Sequence, residues 1–321
     1  MHVHATRNDA PAAAVMGSPF PLFADVAYAE WRTAKISRYP RTAAELRVPI
    51  RNLGEPTEEE LQQLHATIAR ANMAIYVTEP ITAEAEIPLH RQRLSQFLAH
   101  LGLASVESHR SAEADGFVTI AVSDAPAKRG FIPYTARPLN WHTDGYYAPP
   151  EDPIRSFLLH CVRAAARGGE NALLDSEIIY LRLRDADPRW LAALMHPEAM
   201  TIPAAFEEDG SERPERIGPV FAVDSRDGSL ITRYTARGRN IAWRNTPETR
   251  DAVAFLEHLL KDEAEPLIIK ATLAPGEGLI CNNVLHTRTA FDEAEGIRRL
   301  LYRARFARRI APDGAARGRA A

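Results

Sequence analysis

The chain has 321 residues, enough for one large domain or two small ones around a sizeable core. Hydrophobic residues make up 45% and charged residues 25%, ordinary for a soluble globular protein, and a formal net charge of −3 offers no basic field for nucleic acid or an anionic membrane. Two cysteines, Cys161 and Cys281, are too few for a disulfide framework or a zinc-thiolate site, which suits a reducing cytoplasm, so a small-molecule partner is expected.

In chain order, residues 1–20 read as a disordered leader without the continuous apolar segment of a signal peptide. Thr57 then opens a helix as N-cap, with Glu60 three residues on and Leu61, Leu64 and Ile68 at helical spacing. A second helix carries Leu94, Phe97, Leu98 and Leu101 on its inner face and stops at Gly102. Both predict a helical layer over about 21–114, packed outside a sheet.

From 117 onward the rhythm turns to short β-branched and aromatic runs: "GFVTIAVS", "IRSFLLHCV", "NALLD", "PVFAVD", "SLITRYTA", "PLIIKATLA", "GLICNNVLH" and "RLLYRARF". Helical inserts interrupt at "SEIIYLRLRDADPRWLAALMH" and "TPETRDAVAFLEHLLKDEA". The pattern predicts an α+β protein with a mainly β, double-sheet antiparallel core over about 115–310 and flanking helices, one domain spanning 21–310, and a disordered tail at 311–321. "PGEGLIC" is only a fragment of a dinucleotide fingerprint, so Gly276 and Gly278 read as hairpin residues. A monomer and a homo-oligomer both remain open.

In "NWHTDGYY", His142 and Asp144 lie two apart, so on an extended strand both point to one face. The spacing alone is common; His196 and Glu198 share it at a helix end, where a histidine serves the chain terminus. His286, at the end of an apolar strand, can complete two histidines and one carboxylate, a set that leaves three octahedral positions open and suits Fe(II) in oxygen chemistry. In "RRLLYRARF" Arg299, Arg303 and Arg305 alternate with Leu300, Tyr302 and Ala304. They lie on a solvated face or turn inward to meet a dicarboxylate that is not part of the protein.

The order "WHTDGYY", "GGENALLD", "CNNVLHTRTAFDEAEGIRRLLYRARF" resembles the Fe(II)- and 2-oxoglutarate-dependent dioxygenases of the taurine dioxygenase (TauD/TfdA) superfamily, which includes glutarate 2-hydroxylase and γ-butyrobetaine hydroxylase branches. The resemblance covers roughly 115–308 and implies a jelly roll (double-stranded β-helix). It implies iron on His142, Asp144 and His286, the distal carboxylate of 2-oxoglutarate on Arg299, dioxygen as the second co-substrate, and hydroxylation with release of succinate and CO₂. Arg303's position serves either the co-substrate or an anionic prime substrate, and Asn171 stands where the family has a co-substrate threonine. Around the iron, Tyr146, Tyr147, Tyr234, Arg237, Arg239 and Trp243 are substrate candidates: the arginines favour a small anion, the expected class, while the aromatics could instead cage a quaternary ammonium. Two other classes remain open: a zinc or manganese hydrolase or isomerase on the same triad, and a non-catalytic binding protein.

Overall fold

The computed structural model describes residues 17–103, 112–125, 128, 131–206, 212–236, 241–262, 264–296 and 298–311. Most of the expected leader and tail, and both Arg237 and Arg239, lie outside the described residues.

Ten strands form the core: β1 (Arg47–Pro49), β2 (Met73–Val77), β3 (Val118–Ile120), β4 (Leu139–His142), β5 (Ser156–Arg163), β6 (Asn171–Leu174), β7 (Ile269–Ala271), β8 (Glu277–Cys281), β9 (Leu285–Arg288) and β10 (Leu300–Phe306). The major sheet runs β1-β2-β8-β5-β10-β3, antiparallel except between β1 and β2. The minor sheet runs β7-β6-β9-β4, antiparallel throughout. Among the described residues six α-helices flank them: α1 (Asp25–Arg38), α2 (Glu58–Ala71), α3 (Ile87–His100), α4 (Ser176–Ala186), α5 (Pro188–Leu194) and α6 (Pro247–Lys261). None of the described helices is long and apolar enough to cross a membrane.

Strand alternation sorts the major sheet into two faces. Ile75, Phe157, Cys161, Leu279 and Leu301 pack inward with Leu173, Leu285 and Ile269 of the minor sheet. Their neighbours Tyr76, Leu158, Ile280 and Tyr302 pack outward beneath Leu61, Leu64 and Ile68 of α2 and Leu94, Phe97 and Leu98 of α3. Thr57 caps α2 by accepting from the Glu60 amide, while the Glu60 carboxylate returns to the Thr57 amide. A buried Lys35, 2.6 Å from Asp175 and 2.7 Å from Glu177, ties α1 to the start of α4.

Two expectations need correction. The N-terminal third is not only helical: it supplies β1 and β2, and β2 lies between β1 and β8 in the major sheet. Its run "MAIYV" is buried on both faces, so it carries no period-two signal to read. Gly276 does turn the chain at φ +85°, but it leads from β7 in one sheet to β8 in the other, a crossover and not a hairpin. Gly278 lies inside β8, where a Cβ would stand 2.2 Å from the Tyr76 ring. Its absent side chain makes room for that tyrosine.

The space beneath α3 holds a buried polar chain. Tyr76 Oη lies 2.9 Å from His160 Nδ1, and His160 Nε2 lies 2.7 Å from His90 Nε2. One nitrogen of the pair must donate and the other accept, so the contact requires at least one neutral ring. Burial, then His90, pushes the His160 pKa down to about 3 from 6.5. Between those values the unfolded chain takes up a proton that the folded chain refuses, so stability present above pH 6.5 is lost on acidification. Urea midpoints of the wild type are expected to fall between pH 7 and pH 5 by more than those of His160→Gln. Equal falls would remove this pair from the acid sensitivity.

Candidate metal and co-substrate site

The site forms where the minor sheet faces β10. His286 of β9 lies directly opposite His142 of β4 in the antiparallel register, and the ring centroids are 4.2 Å apart. Asp144 follows just past the end of β4, its Oδ1 3.7 Å from His142 Nε2. One ligand atom from each of the three residues falls within 4.8 Å of the other two, and all three residues are buried.

The two histidines are oriented by the same local device. His142 Nδ1 lies 2.9 Å from the Asn140 carbonyl, and His286 Nδ1 lies 3.1 Å from the Val284 carbonyl, each two residues back. A carbonyl can only accept, so each Nδ1 carries the hydrogen and a neutral ring keeps its Nε2 lone pair free. Burial, followed by His142, pushes the His286 pKa down to about 3, so this ring is neutral at physiological pH. Burial alone would raise the Asp144 carboxyl. Arg303, His142, Arg305 and His286 instead hold it well below the usual carboxylate range.

Asp144 Oδ2 is buried without a hydrogen-bond partner, and the nearest guanidinium nitrogen, Arg303 Nη1, is 3.6 Å away. An ionised, orphaned oxygen beside two imidazole lone pairs is a donor set that fits a divalent cation. The loop that carries it is fixed from behind. Asn283, in the left-handed conformation at φ 50°, accepts from the Asp144 amide at 2.8 Å and donates to the carbonyls of Asp144 and Ile154. Thr143 is locked to Tyr234 by backbone and hydroxyl bonds. Gly145 takes φ +66°, and a Cβ there would meet Ile154 Cγ1 at 2.3 Å. Gly145→Ala therefore carries about 1–2 kcal/mol of left-handed strain plus that clash. It is expected to lower the melting temperature and weaken metal binding together, measured by thermal shift with and without Mn(II); wild-type values for both would show that the loop relaxes freely.

β10 turns its guanidinium groups inward. Arg299 is 6% exposed and Arg305 4%, on the face shared with the inward Leu301. Arg299 lines a pocket of about 240 Å³ with Asn171, Cys161 and Gly169, and among the described residues no carboxylate stands at ion-pair distance from it. Burial lowers its pKa, an effect Cys161 and Glu293 oppose. Arg303 keeps a buried Nε without a partner. Arg305 donates to Tyr147 Oη at 3.0 Å, and Tyr147 meets Tyr146 edge-on at 5.3 Å between ring centroids.

The remaining substrate candidates separate. Tyr147 reaches the site through Arg305, and Tyr146 lines an open pocket of about 450 Å³ with Asp144 and Asn283. Tyr234 is not brought in by its ring: it is 3% exposed, packs toward Trp243, and reaches the ligand segment only through its backbone. The physical reason is that the backbone bonds of Tyr234 to Thr143 complete the sheet edge and leave the ring to the apolar core. His196, which shares the spacing with Glu198, follows the end of α5, where its Nδ1 accepts from the Glu198 amide at 3.0 Å. Sequence reasoning passed over Asn283 and Arg288. The doubled asparagine after Cys281 was the available signal for the first, since asparagine is the side chain that tolerates left-handed backbone best after glycine.

Comparisons with known proteins agree with this geometry. The family model for taurine catabolism dioxygenase TauD, TfdA family, matches residues 37–305. A uridine-5′-phosphate dioxygenase of Amycolatopsis sp is 33% identical over 177 residues, 52% of this chain and 60% of that protein. Another, from Streptomyces sp, is 36% identical over 116 residues, 34% of this chain and 38% of that protein. The matched part thus spans less than two thirds of either relative. Among solved structures, an asparagine oxygenase in complex with Fe(II), 2S,3S-3-hydroxyasparagine and succinate superposes with a TM-score of 0.55 at 16% identity, over 78% of this chain and 80% of that one. The non-heme iron oxygenase OrfP in complex with Fe and alpha-ketoglutaric acid gives 0.56 at 15% identity, over 79% and 81%. At such identities the structural likeness speaks for the fold, which is that of the jelly-roll oxygenases.

Proposed function

Since the chain belongs to the taurine catabolism dioxygenase TauD, TfdA family, we propose that it is a non-haem Fe(II)- and 2-oxoglutarate-dependent oxygenase acting on a small anionic substrate. The observation that carries this reading is the pairing of two sites: a buried donor triad with an orphaned carboxylate oxygen, and a nearby buried arginine without a carboxylate partner among the described residues. A redox-silent metal hydrolase has use for the first but not the second.

His142, His286 and Asp144 would hold the iron through imidazole nitrogens and a carboxylate oxygen. Bound there, the iron supplies activation of dioxygen, coupled to oxidative decarboxylation of 2-oxoglutarate to succinate and CO₂ and ending in an oxidised substrate C–H. The protein's part is position and dryness. Arg299 grips the distal carboxylate of 2-oxoglutarate by a charge-assisted pair, and the Asn171 amide in the same pocket donates a second contact. Nδ1 bonds to Asn140 and Val284 keep both imidazoles from swinging, and burial of all three side chains strengthens their charge interactions with whatever binds between them.

Charge narrows the substrate. Arg303 Nη1 lies 3.6 Å from Asp144 and its Nε is buried without a partner, so a guanidinium beside the metal site has a donor left for an anion. That donor suits an anion such as a phosphate monoester, the class to which the uridine-5′-phosphate named for the curated relatives belongs. Arg303 and Arg305, with Tyr147, are the groups placed to receive it. The test is succinate release with Fe(II) and 2-oxoglutarate in the presence of uridine-5′-phosphate, uridine, glutarate, taurine or γ-butyrobetaine. The phosphate ester is expected to stimulate most; stimulation by the cationic compound alone would sink the anionic assignment. An anaerobic mixture of protein, Fe(II) and 2-oxoglutarate is expected to develop a visible charge-transfer band, and its absence would sink the oxygenase reading itself.

A further inference from the structure

Arg288 lies two residues beyond His286 on β9, so both side chains leave the same strand face. It is 5% exposed, and its guanidinium donates to three carbonyls: Pro133 at 3.4 Å, Thr135 at 2.8 Å, and Arg137. All three belong to the segment 131–137, which runs directly into β4 and its ligand His142. The register between β9 and β4 shifts by one residue between His286 and Arg288, so the ladder is broken where this segment arrives. The guanidinium bonds tie that segment to β9 just ahead of the break.

A second link runs the other way. The Phe291 ring lies between functions: Arg288 Cζ is 4.9 Å from its centroid, and Arg299 Cζ is also 4.9 Å from it. Among the described residues neither guanidinium has a carboxylate at ion-pair distance, and Arg288 Nε is buried without a partner. Two buried like charges on one aromatic ring repel through a medium that screens them poorly. A carboxylate at Arg299 would offset that repulsion, so that Arg288, already bonded to the three carbonyls, would hold them more firmly.

We propose that Arg288 is a positioning residue that relays carboxylate binding at Arg299 to the segment 131–137, firming the approach to His142 when the co-substrate is in place. The relay rests on the assignment of Arg299 to 2-oxoglutarate. Its state variable is the order of a short segment, so binding at one end changes exchange at the other without any large displacement.

The experiment is amide hydrogen exchange on the full chain loaded with Mn(II), with and without 2-oxoglutarate, alongside calorimetric titration of 2-oxoglutarate. In the wild type, 2-oxoglutarate is expected to slow exchange in 131–137 by about threefold or more. In Arg288→Gln, 2-oxoglutarate still binds but the slowing in 131–137 disappears. Arg288→Lys, which keeps the charge but not the planar fork that reaches the three carbonyls, gives the same loss and carries the variant arm if Arg288→Gln does not fold. A purely structural arginine would give faster exchange in the variants with the co-substrate effect intact, and that result overturns the relay. So does a wild type that binds 2-oxoglutarate with no change in 131–137. If calorimetry shows no binding to the wild type at all, the assignment of Arg299 has failed and takes the relay with it.

Discussion

Asp144→Ala is expected to abolish metal binding and cut 2-oxoglutarate decarboxylation by about a thousandfold or more, because it removes the only anionic ligand of the triad. Two neutral imidazoles alone hold a divalent cation weakly, and Arg303 and Arg305, which face Asp144, then repel the ion they previously shared a carboxylate with. The fold is expected to survive, since the loop is held by Asn283 and by the Thr143 bonds to Tyr234, none of which uses the Asp144 side chain. Mn(II) should therefore raise the melting temperature of the wild type and leave that of the variant unchanged, as linkage requires of a ligand that binds only one of them. His286→Ala is expected to behave alike. A variant that still melts higher with metal would take the replaced residue out of the donor set.

Arg299→Ala is expected to raise the apparent KM for 2-oxoglutarate by roughly tenfold to a hundredfold, the range given by losing a charged hydrogen bond of about 1.5–3 kcal/mol. Metal binding should be untouched, which separates this defect from that of the triad. The protein without co-substrate is expected to be no less stable, because Arg299 is a buried cation that meets no carboxylate among the described residues and relief of that burden offsets the lost packing. Arg299→Lys keeps the charge but not the planar fork, and should recover only part of the affinity. An unchanged KM in the alanine variant would move the clamp to Arg303.

Legibility followed the reach of each signal along the chain. The helix α2 was readable because its cap and its apolar stripe are local, and the alternation on β10 was readable because a strand with one polar inner face repeats every second residue. β2 escaped because both its faces are buried, and Gly278 was misplaced because its reason is the Tyr76 ring, two hundred residues earlier in the chain. Tyr234 and Tyr147 look equally suited to a substrate in the sequence. Only the fold sends one ring into the core and the other to Arg305.

By itself, then, the sequence determined which chemistry was available: two histidines and an aspartate in strand-end positions, three arginines on one strand face, and helices with their own stops. Tertiary structure decided which of these groups meet. The register that sets His286 opposite His142, the asparagine that pins the Asp144 loop, and the ring shared by Arg288 and Arg299 are all contacts between distant segments. Residue type and spacing specify donors and periodicity within a single element. Distances between elements arise only when the sheets close on one another and burial selects which charges can remain without a partner.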